Sequence, residues 1–265
     1  MENYLIANKY ALKNKNIEQQ FYINNNIGEL KNLWGNYGEA LEFFKYQLLL
    51  WEQKKINFKY PQTSYSWLLF SLTNSYILNK KLDSALIYAK KGIQESLAIN
   101  DSTRYYSFVG QTGIIFYYQN NFKTALDSLN KVLSAEVSLN NLLNYHYYLG
   151  NIYCKQNNDK EAFLHFSKAD SIYNKTQDVV PEVRDIQEFF VSYYKKNNDI
   201  NNQLKYIDRL LYIDSIIEHN YKNLNETLIK KYDTPKLIAE KQHIINRLKE
   251  SQKKSSFIII GLVSA

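Results

Sequence analysis

Residues 149–169 read LGNIYCKQNNDKEAFLHFSKA, and this stretch decides the fold. Leu149 and Tyr153 stand four apart, one helical turn, so they share a face. The run from Gln156 to Asp159 is polar and interrupts the apolar pattern. Beyond it Ala162, Phe166 and Ala169 recur at i, i+4 and i+7, the stripe of a second amphipathic helix. Gly150 and Ala162 are small, which lets the two helices approach closely. The unit reads as a hairpin of two helices joined by a short polar turn.

The same offsets recur on both sides of it. Gly113, Phe116, Ala125, Leu129 and Val132 flank the turn 119–122, and Leu72, Tyr76, Ala85, Ala89 and Gly92 flank the turn 79–82. A weaker unit comes first, with Gly28, Ala40 and Phe44 around residues 34–37. A degenerate one comes last, with Tyr194, Leu204, Ile207 and Leu210 around residues 196–199. There Gln203 stands where the other units have a small alanine, so a splayed or capping pair is expected. The anchor positions 40, 85, 125, 162 and 203 step by 45, 40, 37 and 41 residues. Three consecutive units with matching offsets argue against alanines at chance spacings in an ordinary bundle.

This pattern resembles the tetratricopeptide repeat (TPR), which runs Leu-Gly-x-x-Tyr, then Ala, then an aromatic, then Ala. All six positions match in Leu149, Gly150, Tyr153, Ala162, Phe166 and Ala169; Leu72, Tyr76, Ala85, Gly113, Phe116 and Ala125 carry it upstream. The steps exceed the family's period of about 34 residues, which lengthens helices or loops, and Pro61 and Pro181 mark two such loops. The resemblance implies an all-α fold, a right-handed TPR-type α-solenoid of helix-turn-helix repeats. In such arrays the first helices line a concave groove that binds a peptide or protein. The family's inward positions fall on Asn74, Tyr117, Tyr147, Asn151, Lys155 and Glu188, the expected groove residues. The alternative for each is a solvated or inter-repeat side chain.

Composition agrees with a helical protein. The 265 residues include only 8 Gly and 3 Pro, too few for the tight turns of an all-β fold or for Gly-rich loops. The 24 Tyr and 13 Phe supply bulk for helix packing. The net charge of +7 is spread along the chain, with a small cluster at Arg247, Lys249, Lys253 and Lys254, so no nucleic acid is expected to bind this portion. Cys154 is the only cysteine and reads as a small packed residue. The four histidines lack metal-ligand spacing, and His146 and His165 read as packed or groove-edge imidazoles. Asp159 and Glu161 read as capping and solvation on an exposed turn. With no phosphate-binding loop, nucleophile elbow or zinc-helix motif, no catalytic, metal or cofactor site is expected.

The expected layout is a repeat array over residues 1–215 (clearest over 66–175), a helical linker or short coiled-coil stalk over 216–254, and a truncated transmembrane segment over 255–265. Thr234 and Pro235 suit a helix start. Leu237, Ile238, Ile244, Ile245 and Leu248 fall at roughly heptad spacing, which suggests a homodimer through the stalk. Residues 257–265 are uncharged and apolar after Lys253 and Lys254, yet a spanning helix needs about 20 residues.

This order, with Lys231 to Lys241 as its most telling stretch, resembles the sensor half of bacterial membrane-bound regulators. In those proteins a TPR array precedes one transmembrane helix and an AraC-type helix-turn-helix domain. The resemblance implies signal transduction toward transcription regulation, with the chain attached to the membrane by a single pass. Its first residues do not read as a secretory signal, and the basic residues beside the apolar run favour the cytoplasmic side for the stalk. The alternatives are the sensor region of a TPR-containing histidine kinase and a complete cytoplasmic TPR scaffold or co-chaperone.

Overall fold

In the computed structural model of the protein the residues described are 10–11, 13–14, 16–53, 58–59, 61–220 and 234–263, with side chains described as far as 217 and again over 237–252. Among them every regular element is a helix. The order is α1 (Ile17–Leu33), α2 (Tyr37–Glu52), α3 (Pro61–Leu78), α4 (Leu82–Ala98), α5 (Ser102–Tyr118), α6 (Phe122–Val132), α7 (Leu139–Lys155), α8 (Asp159–Thr176), α9 (Pro181–Lys196), α10 (Ile200–Asn220) and α11 (Thr234–Val263). The chain divides into two compact units, Met1–Gln177 and Asp178–Ala265.

Each helix pair closes through the same turn, and the sequence explains it. The residue after the first helix's C-cap takes positive φ: Gly35, Lys80, Asn120, Asn157 and Asn198. The next backbone N–H then reaches back five residues to the last turn of the first helix. Lys81 N donates to Tyr76 O at 3.0 Å, Asn121 N to Phe116 O at 2.9 Å and Asn158 N to Tyr153 O at 2.9 Å. This is the Schellman bond that satisfies helix-end carbonyls. The side chains of Asn121 and Asn158 then cap the second helix by accepting from Thr124 N and Glu161 N. Asparagine dominates these turns because it tolerates the left-handed region and caps well. Asn157→Val, whose branched Cβ resists positive φ, is expected to cost about 1–2 kcal/mol in urea denaturation, and Asn157→Gly to cost nothing.

The seam inside each pair is built from the repeat positions. Ala40, Phe44, Ala85, Ala89, Ala125, Leu129, Ala162 and Ala169 are all fully buried, as are Leu72 and Leu149. Gly150 shows why a small residue is needed. A Cβ there would lie 2.8 Å from the ring of Phe166. Gly28 meets Phe44 in the same way, at 2.6 Å. The glycine on one helix and the aromatic on its partner form one lock, repeated in the first and fourth pairs.

In the first unit, α1–α8 form four hairpins. The first helices touch one another in succession, α1 with α3, α3 with α5 and α5 with α7. The second helices make no comparable contact with each other among the described residues. The first helices therefore form the inner, more crowded layer of this unit, as a curved array requires.

The second unit is built on α9 and α10, which pack along their length as the other hairpins do. The splayed pair expected from Gln203 is not present. Gln203 is buried, and its amide donates to Glu240 Oε1 on α11 at 3.3 Å. The polar side chain is accommodated because a third helix covers it and supplies an acceptor. Helix α11 has 30 residues and thus a length of about 45 Å. Its first half is held on the pair by Lys195 to Glu240, at 2.6 Å, and by Lys241 to Asp208. The part of the presumed stalk at 221–233 lies outside the described residues.

No helix among the described residues is long and apolar enough to cross a membrane. The truncated transmembrane segment expected over residues 255–265 falls largely outside the described side chains. The backbone of α11 runs helically to Val263, while the side chains from 253 onward, and residues 264–265, lie outside the description.

Candidate functional site

The inner layer of the first unit is where a groove ligand would meet the chain, so its partly exposed side chains define the candidate site. Tyr117, in the last turn of α5, has its ring 5.1 Å from that of Tyr148 on α7 and 6.2 Å from that of Phe122. The ammonium of Lys155, in the last turn of α7, stands 5.9 Å from the Tyr117 ring centre and 6.0 Å from that of Phe122. This is cation–π range and brings Tyr117 and Lys155 together across two repeats. Tyr118 and Tyr148 join the neighbouring helices through their hydroxyls at 3.0 Å. Lys80, on the turn after α3, places its ammonium 3.3 Å from the centre of the Tyr118 ring, and burial pulls that ammonium below the usual lysine range.

Tyr147 and Asn151 stand one turn apart on α7. Asn151 Nδ2 donates to Tyr147 O at 3.0 Å, and the Tyr147 ring packs beside Tyr148 at 5.1 Å. Asn74 is half-buried on α3. Glu188 is placed differently. It lies on α9 in the second unit, where its carboxylate accepts from Arg184 Nη1 at 3.0 Å. The structure thus gathers Tyr117, Tyr147, Asn151 and Lys155 on α5 and α7. It adds Lys80 and Tyr118, which projection of the TPR inward positions does not give, over the buried Tyr148. The doublets at 117–118 and 147–148 were the available signal, since two adjacent aromatics at a helix's inner edge reach both neighbours.

A second cluster on this hairpin is a histidine pair. His146 on α7 and His165 on α8 are both buried, with their Nδ1 atoms 2.9 Å apart. One ring must donate and the other accept, so at least one of the two nitrogens is unprotonated. Tyr153 stacks on His165 at 5.5 Å. His146 lies nine residues before the end of α7 and His165 six after the start of α8, so spacing from the turn alone does not pair them. Burial, and then the neighbouring His165 and Lys168, press His146 down to about 4. Burial and Lys168 lower His165 too, against the opposing pull of Glu161.

A histidine held below its unfolded value stabilises the fold above about pH 6.5 and loses that contribution as pH falls toward 4. Unfolding free energy is expected to drop by roughly 2–3 kcal/mol over this window, and His146→Phe to flatten the drop. Denaturant titrations between pH 7 and 4 check it. Among the described residues no group of three or more histidine, cysteine, aspartate or glutamate side chains could hold a metal ion. Cys154 is half-buried, and its thiol is pushed up first by burial and then by Asp159, the reverse of an activated nucleophile.

No family model matches the chain, and no curated protein matches it. Solved structures do. The Rap conjugation gene regulator of the plasmid pLS20, in complex with the Phr* peptide, superposes with a TM-score of 0.55 at 13% identity, covering 95% of this chain and 74% of the other. The apo form of RapI gives 0.53 at 12% identity, over 95% and 98%. BtubC (BKLC) from P. vanneervenii gives 0.53 at 14% identity, over 82% and 90%. The chain has the TPR-type helical-repeat fold. At these identities the likeness concerns fold alone.

Proposed function

We propose that this chain is a non-catalytic interaction module that takes a peptide or protein segment on the inner layer of its first unit. The observation that carries the reading is the cluster of Tyr117, Tyr147, Asn151 and Lys155 on successive first helices, a surface of aromatic rings, amides and ammonium groups. Rings bind apolar side chains at little entropic cost, while amides and lysines suit a peptide backbone and its carboxylates. The pLS20 regulator, whose fold is similar, was solved in complex with the Phr* peptide, and a Rap protein was solved in complex with competence and sporulation factor. Those ligands are theirs; they support the reading by showing that an array of this type can hold a peptide.

The test is to pan the full chain against a random peptide library and measure the affinity of selected peptides. Tyr147→Ala with Asn151→Ala is expected to weaken them about tenfold, and Ile87→Ala on α4 to leave them unchanged. Equal binding by both variants would count against the proposal.

A second reading is the sensor region of a membrane-bound transcriptional regulator, with a histidine-kinase sensor as its enzyme-linked counterpart. One feature favours it: the uncharged apolar residues 257–265 that follow Lys253 and Lys254. Sequencing the native locus past codon 265 decides between the outputs. A continued apolar stretch followed by a helix-turn-helix supports the regulator, one followed by a kinase core supports the kinase, and an immediate stop codon removes both.

A further inference from the structure

Helix α11 is attached to the second unit in a different way from the helices of the hairpins. Among its described side chains, 237–252, none is fully buried. The half-buried ones are Leu237, Glu240, Lys241, Ile244, Ile245 and Leu248, spaced i, i+3, i+4, i+7, i+8 and i+11, which is one helical face. That face is the docked one, and it carries two charges among four apolar residues. The hairpin beneath is built the opposite way. Helix α9 buries Val183, Ile186, Phe190 and Val191, and α10 buries Tyr206, Ile207, Leu210 and Ile213.

The specific contacts across the α11 seam are polar. Glu240 Oε1 accepts from Lys195 Nζ of α9 at 2.6 Å and from Gln203 Nε2 of α10 at 3.3 Å, while Lys241 pairs with Asp208 of α10. Lys195 and Glu240 are 64% and 28% exposed, and Lys241 and Asp208 are 32% and 56% exposed. Water reaches all four groups, so each pair contributes little by itself and is screened by salt. The buried Gln203 amide needs an acceptor, and water serves in place of Glu240 once the helix lifts. Undocking therefore strands neither a charge nor an amide. The seam between α9 and α10 differs, because parting Arg184 from Asp214 would leave two buried charges unpaired.

We propose that α11 is a strap that docks on the α9–α10 hairpin and lifts from it as one piece, latched by Glu240 and Lys241 and released when salt or a competing charge weakens those pairs. The hairpin stays folded throughout. Docking covers the stripe of Leu237, Ile244, Ile245 and Leu248, and lifting bares it together with the Gln203 amide. The second unit thus sets an element of low opening free energy beside a core that opens only as a whole. The device is independent of what the inner layer of the first unit binds.

Hydrogen exchange of the full chain, read by mass spectrometry, compares residues 237–252 with 181–217 at about 0.05 M and about 1 M sodium chloride. The strap is expected to exchange faster than the hairpin at low salt and about fivefold faster again at high salt, with the hairpin unchanged. Lys195→Gln with Asp208→Asn removes both latches from the hairpin side and leaves the sequence of α11 intact. That variant is expected to show the same rise of about fivefold at low salt and to lose most of the salt response. Lys195→Glu with Glu240→Lys restores one pair with its charges exchanged, and should return the exchange of 237–252 toward the wild-type rate.

Three results overturn the proposal. Equal exchange of the two segments under every condition shows that α11 opens only with the whole unit. Rapid exchange of 237–252 that neither salt nor the hairpin variant alters shows a helix that no charge latches. Exchange that stays fast in the charge-exchanged variant shows that the pair of Lys195 and Glu240 is not the latch.

Discussion

Asp214→Ala is expected to destabilise the second unit by about 3–5 kcal/mol, the largest loss from any single polar substitution. Asp214 on α10 accepts from Arg184 Nε on α9 at 2.7 Å, and each side chain is only 6% exposed. Removing the carboxylate leaves a buried guanidinium without its buried counter-charge, while Glu188, which it also contacts at 3.0 Å, is 61% exposed. The cost arises from the stranded charge rather than from the strength of the pair. A double variant, Arg184→Met with Asp214→Leu, is therefore expected to recover most of the loss. Urea denaturation with hydrogen exchange over residues 181–217 measures both. Equal destabilisation by the single and double variants would contradict this account of the pair.

Phe108→Ala is the second large effect, about 3–5 kcal/mol in the first unit. The Phe108 ring is fully buried on α5, with Phe70 of α3 at 5.8 Å. It lies so close to α4 that a Cβ on Gly92 would sit 2.2 Å from it. The ring thus locks three consecutive helices, and truncation opens a cavity that none of them can fill alone. The same geometry makes Gly92→Ala destabilising by about 1–3 kcal/mol through overpacking. The two substitutions share one volume, so Gly92→Ala is expected to cost much less in the Phe108→Ala background. A double-mutant cycle by chemical denaturation reads that coupling, and strict additivity would show that the glycine is not paired with the ring.

Much of this architecture was legible in the sequence because the repeat encodes it locally. The small residue on one helix and the aromatic on the next announce the seam, and the asparagine-rich turns announce the hairpins. Ala85, Ala125 and Ala162 sit where their spacing put them. The features that were not legible depend on longer registers. Gln203 looked like a defect until α11 supplied Glu240 as an acceptor, and that docking relies on Lys195 and Lys241, which in the sequence resemble solvated charges. Arg184 and Asp214 are 30 residues apart and carry no mark of being buried together. On the inner layer, Tyr117 and Lys155 could be projected from repeat offsets.

The most direct test of the central claim is site-specific photocrosslinking with a library-selected peptide. A benzophenone amino acid would replace Tyr117 or Tyr147 on the inner layer, and Tyr46 or Ile87 on the second helices, where those side chains are 57% and 65% exposed. If the first helices form the binding face, covalent adducts form from positions 117 and 147 and are competed away by unlabelled peptide, while 46 and 87 give none. Competable adducts from 46 or 87 alone would contradict the account and move the ligand to the opposite face.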